Sequence, residues 1–262
     1  MSVDPNSLTE QQRMMANALS EWAHPYAQPI SFGEAPNLLA AHNNVNNATM
    51  SLISLEGKQI GITNWHVLFG PDGYDEQRQT NPGIHCQLGN VVLDPLEMII
   101  DGDETLDLVT LDLSSFTVDQ IVCPGLPCAF YEQPGAWPPP PVNVGDYVVF
   151  AGFPGSRREH VNPGEFIYGI VSSGGTEIVQ VSEEIIQCQL LLDQCVVTVQ
   201  NTDVPANELP GLSGSPVFQY RLFKSGVSYF DFVGIVFEYG PEFDLLRIRP
   251  SHLLNSDGTF RR

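Results

Sequence analysis

Three short stretches of this chain place residue types where acyl-transfer chemistry would need them. The first is Gly211-Leu212-Ser213-Gly214-Ser215-Pro216, a serine in a glycine-flanked turn ahead of an apolar strand. A serine hydroxyl is a weak nucleophile until a base takes its proton and nearby donors hold the negative oxygen that forms on the substrate. Gly211 is free to turn its N–H toward the same point as the N–H of Ser213, which would make a two-donor oxyanion hole. Taken alone, the stretch reads equally well as an ordinary Gly/Ser/Pro hairpin turn.

The base must be a histidine held at the edge of a strand. Of six histidines, His66 stands out in Gly61-Ile62-Thr63-Asn64-Trp65-His66-Val67, where it follows a strand directly and has apolar neighbours to hold the ring. His24, His42, His85, His160 and His252 lie in polar or Pro/Gly-rich surroundings and read as surface residues. A carboxylate must then fix the imidazole tautomer and stabilise the imidazolium. Asp107 heads Asp107-Leu108-Val109-Thr110-Leu111-Asp112-Leu113, where strict alternation puts it on the face of Val109 and Leu111. By itself Asp107 reads as an acid at the start of a strand.

The elements that must position these residues are short. From Asn47 onward, runs rich in Val, Ile, Phe and Tyr alternate with Gly, Pro, Asn and Asp clusters, the texture of an all-β chain. Pro138 to Pro141 cannot lie in a central strand and divide two groups of strands, which fits two small barrels better than one sandwich. Ahead of them, Ser7 and Glu10 form an S-x-x-E capping box before Leu8, Met14, Met15, Ala18, Leu19 and Trp22 at helical spacing. The expected division is an N-terminal extension with one helix over 1–45, a first barrel over 46–135, a second over 136–250, and a tail over 251–262 that is either docked or loose.

Composition narrows the function classes. The 262 residues carry 31 Asp and Glu against 11 Lys and Arg, a formal charge of −20, which repels nucleic acid and anionic lipid and favours basic polypeptides. No apolar run is long enough for a membrane span, and the start MSVDPNSLTEQQ lacks the order of a secretory signal, so the expected compartment is the cytoplasm. An odd cysteine count there argues for reduced thiols, with Cys123/Cys128 and Cys188/Cys195 as the pairs that could still bridge. Neither pair has a zinc-site spacing, and no metal or other cofactor is expected.

Four blocks taken in order resemble the trypsin-like serine peptidases, closest to the HtrA-like branch. They are ITNWHV, DLVTLDL, VGDYVVFAGFPG, and GLSGSPV followed by GIVFEYG. The resemblance spans roughly 47–249 and implies the two-barrel trypsin/chymotrypsin-like fold with a His66–Asp107–Ser213 triad in the cleft between barrels. It implies that Ser213 attacks the carbonyl, His66 moves the proton, Asp107 orients His66, and the N–H groups of Gly211 and Ser213 hold the oxyanion. It also puts Asn207 at the base of the primary pocket and makes Phe237, Glu238 and Tyr239 the strand that pairs with a polypeptide substrate. A large Tyr239 where glycine is common narrows that pocket and favours small or medium side chains over Lys or Arg. Leu212 stands where activatable members carry an aspartate, and no PDZ-sized segment follows the second barrel. The alternative is an inactive or partner-licensed member acting as a binding module, with the N-terminal helix covering the cleft or meeting a regulatory protein.

Overall fold

The computed structural model describes residues 10–34, 46–155, 158–162, 165–190, 195–197, 209–222 and 228–262. The β-branched and aromatic runs become strands, as their composition requires. The first group comprises β1 (Ala27–Glu34), β2 (Asn46–Leu55), β3 (Lys58–Thr63), β4 (Ile84–Leu88), β5 (Val91–Leu93), β6 (Ile99–Asp103), β7 (Leu108–Asp112) and β8 (Tyr131–Glu132). They form one curved, open sheet in the order β5-β4-β1-β2-β3-β7-β6, with β8 beside β2.

The second group begins with β9 (Tyr147–Gly152), a small hairpin of β10 (Arg158–Asn162) and β11 (Glu165–Tyr168), and the long β12 (Val171–Val181). It continues through β13 (Ile186–Gln189), β14 (Cys195–Val197), β15 (Pro216–Leu222), β16 (Ser228–Gly240) and β17 (Leu245–Pro250). Because β13 pairs with both β17 and β12, the ring β9-β12-β13-β17-β16-β15 closes on itself. A half-barrel and a closed six-stranded barrel therefore make the expected two-barrel, trypsin-like architecture.

Three apolar clusters hold this together. Met50, Leu52, Val109 and Leu111 fill the half-barrel, and Phe150, Ile178, Val236 and Ile248 fill the closed one. A third cluster joins the two, with Ile53, Ile60 and Leu108 from the first group meeting Val149, Phe218 and Ile235 from the second. The barrels thus share an apolar core, and hydrogen bonds across the same seam set its register.

The extension departs from expectation. The capping box rests on Ser7, outside the described residues, but a helix α1 (Glu10–Trp22) forms and packs on β12 and β9. Trp22 stacks on Phe230 with centroids 3.6 Å apart and meets Phe218 edge-on at 5.1 Å. The extension does not run to residue 45, because β1 sits between β2 and β4 in the half-barrel. Pro29 and Gly33 within AQPISFGE hide that strand from a propensity reading. The tail is docked. Thr110 Oγ1 donates to the Gly258 carbonyl at 2.7 Å, Phe260 N–H donates to Asp101 at 2.9 Å, and Phe260 is buried against the shared core.

His24 is also corrected. Far from being a surface residue, it is 6% exposed between α1 and β1, with Nε2 2.9 Å from Ser172 Oγ of β12. Burial lowers its pKa below the ordinary histidine value, against the opposing pull of the Glu21 carboxylate. The unfolded chain then binds a proton that the native state refuses, so stability is full above about pH 6.5 and falls as pH drops below it. Thermal melts between pH 7 and 5 should show this acid-side loss in the wild type and a shallower one in His24→Gln, which keeps a polar partner for Ser172.

Candidate active site

β3 ends at Thr63, and Asn64 in extended conformation starts the five-residue helix α2 (Trp65–Phe69) that carries His66. The ring is half exposed at the rim of the half-barrel, with Val67 and Leu68 of the same helix buried beneath it. Asp107 approaches from the turn before β7. It is not a strand residue: its φ is +54°, left-handed backbone that costs a non-glycine residue about 1–2 kcal/mol. The turn is closed by Leu106 N–H donating to Asp103 Oδ1 at 3.0 Å and Asp107 N–H to the Glu104 carbonyl at 3.2 Å. The left-handed residue breaks the alternation that the sequence suggested and turns the carboxylate toward α2.

Both Asp107 oxygens are used. Oδ1 accepts the backbone N–H of His66 at 2.9 Å, and Oδ2 lies 2.8 Å from His66 Nδ1. An ionised carboxylate can only accept, so Nδ1 carries the proton and Nε2 is left as the basic nitrogen. Asn64 Nδ2 completes the clamp, donating to the Asp107 carbonyl at 2.8 Å and lying 3.4 Å from Oδ2. Sequence reading assigned Asn64 no role; its amide is fully buried and so needs a polar partner, but that burial is visible only in the fold.

Ser213 is held from the other barrel. Its carbonyl accepts the N–H of Thr49 at 2.9 Å, Thr49 Oγ1 donates to the Gly211 carbonyl at 2.9 Å, and Ser51 Oγ donates to the Gly214 carbonyl at 2.6 Å. Gly211 and Gly214 have φ of +106° and +89°, and a side chain on Gly214 would overlap the Thr49 carbonyl. The loop is thereby pressed onto β2. His66, Gly211 and Ser213 line one cleft of about 160 Å³ with Phe32, Asn47 and Ala48. Among the described residues, the Ser213 hydroxyl has no hydrogen-bond partner, His66 Nε2 included. The N–H groups of Gly211 and Ser213 likewise have no acceptor.

A neighbouring pocket of about 180 Å³ is lined by Leu209, Gly211, Leu212, Ser213, Glu238 and Tyr239. Burial pushes the Tyr239 phenol up to about 12, helped by its 3.0 Å bond to Asp244, so it stays neutral and pinned. Glu238 is paired with Arg247 at 2.6 Å. Phe237 does not line this pocket. Register shifts between Val236 and Glu238, and the ring at this bulge lies under the Arg249 guanidinium at 4.2 Å. Asn207 lies outside the described residues.

No disulfide joins the cysteines, and burial pushes Cys123 up to about 11 and Cys128 and Cys188 up to about 12, so they stay protonated at neutral pH.

No family model and no curated protein matches this chain. Among solved structures it is similar to the crystal structure of Deg5, at 13% identity over 93% of this chain and 91% of that one, TM-score 0.44. It is also similar to a thermostable serine protease, AL20, from an extremophilic microorganism, at 13% identity over 87% and 92%, TM-score 0.43. A third is the scabies mite inactivated protease paralogue S-I1, at 14% identity over 89% and 91%, TM-score 0.44. Likenesses of this degree carry no reading of the site, which stands on its own geometry.

Gly214→Ala tests how tightly the serine loop is pressed onto β2. It combines left-handed strain with the Thr49 overlap and should cost more than about 2 kcal/mol in a urea titration.

Proposed function

We propose that this protein is a serine endopeptidase that cleaves polypeptides through His66, Asp107 and Ser213. The observation that carries the reading is the Asp107–His66 pair at 2.8 Å, which frees Nε2 as a base in the same cleft as an unbonded serine hydroxyl. Ser213 Oγ attacks the scissile carbonyl as His66 Nε2 takes its proton. The N–H groups of Gly211 and Ser213 receive the oxyanion, and His66 returns the proton to the leaving amine. Water then reverses these steps on the acyl-enzyme. The chemistry uses side chains and backbone alone, the order of the four sequence blocks supports a trypsin-like peptidase, and their resemblance is closest to the HtrA-like branch.

A partner-licensed enzyme is the second reading, favoured by the missing bond between Ser213 and His66. Such bonds commonly tighten only when substrate binds, so the gap is compatible with activity. The described part of α1 lines neither pocket, and it leaves Met14 two-thirds exposed as a surface for a regulatory protein.

A fluorophosphonate probe tests the chemistry. Mass spectrometry should find the label on Ser213, with none in Ser213→Ala, and Asp107→Asn should slow turnover by about 10⁴-fold through the wrong tautomer. A folded wild type that takes no label sinks the reading of a free-standing enzyme. Substrate choice is tested separately. In a peptide-library digest, cuts should follow small or medium side chains. Tyr239→Gly should raise kcat/KM for large apolar ones by about tenfold or more; cutting after arginine would refute this.

A further inference from the structure

β17 is an apolar strand that carries one buried cation. Arg249 is 8% exposed, and among the described residues no carboxylate lies within ion-pair distance of it. A buried charge costs several kcal/mol unless its donors are satisfied. Here each of the three nitrogens finds one backbone acceptor: Nε donates to the Leu106 carbonyl at 2.7 Å, Nη2 to that of Thr105 at 3.1 Å and Nη1 to that of Glu184 at 3.2 Å. The Phe237 ring covers the remaining face at 4.2 Å. Carbonyls 105 and 106 are the two immediately before Asp107, in the turn whose left-handed last residue aims the carboxylate at His66.

We propose that Arg249 is a positioning residue: carried by the closed barrel, its guanidinium fork fixes the half-barrel turn that presents Asp107 to His66. The placement rests on these contacts alone, while its effect on rate rests on the peptidase reading above. An apolar replacement would leave the carbonyls of Thr105, Leu106 and Glu184 without this donor, so a stability loss accompanies any loss of positioning and the test must separate the two. A lysine would not replace it, because a point charge cannot span two adjacent carbonyls as a planar fork does. Burial lowers the Arg249 pKa, against the opposing pull of the Glu184, Asp107, Asp103 and Glu238 carboxylates.

The test compares wild type, Arg249→Met and Arg249→Lys by the low-field proton signal of His66 Nδ1–H, the His66 titration curve and the rate of fluorophosphonate labelling. Circular dichroism first establishes folding. The expected result is a lost or upfield-shifted Nδ1–H signal and a displaced His66 titration in both variants. Peptide hydrolysis should lose about tenfold or more in kcat, with KM within about twofold. Folded variants with the wild-type signal and labelling rate would overturn the proposal. If Arg249→Met does not fold, the milder Arg249→Lys decides the matter alone. A wild type that fails to label would sink the peptidase reading, and the proton signal would still judge Arg249.

Discussion

Thr49 is the joint on which this molecule turns. It is fully buried in β2, and its backbone and side chain bind four others: the carbonyls of Ser213 and Gly211, the N–H of Phe153, and the hydroxyl of Thr63. Each bond is 2.9 Å long and its Thr49 end is buried, where an unmade partner would cost about 1–3 kcal/mol. The consequence is that the serine loop, though built by the second barrel, is located by the first. Shared apolar packing brings the barrels together with little directional preference, and these polar contacts set the register of the seam.

The reverse dependence runs through Asp107. Its turn belongs to the half-barrel, yet a strand of the closed barrel reaches under it. Histidine and aspartate come from one sheet and serine from the other, and each sheet grips the other's reactive loop. A rotation of the barrels would disturb both grips at once, so the geometry of the cleft is a property of the whole seam.

The turns and strands around His66 and Ser213 were legible in the sequence because they are written in turn residues and short runs. The glycines around Ser213, the strand before His66 and the apolar run after Asp107 each state a backbone requirement within a few positions. What was not legible depended on distant neighbours. Alternation placed Asp107 on a strand face, but closure of the turn by Asp103 and Glu104 gives it left-handed backbone. Phe237 sits at a bulge that local pattern cannot announce. His24 looked like a surface residue beside Pro25, and only packing of α1 on β12 buries it. β1 was hidden by its own proline and glycine, and its place in the sheet comes from pairing with β2 and β4.

The docked tail has a consequence for how the molecule comes into being. Gly258 and Phe260 cover Ile60, Ile100 and Thr110 of the half-barrel, elements that lie in the first half of the chain. On the ribosome, that sheet is made early and waits uncovered while the whole second barrel is synthesised. Its apolar edge is covered only once the segment carrying Gly258 and Phe260 has been made, so the packing of the half-barrel is completed after the strands of the closed barrel have been synthesised.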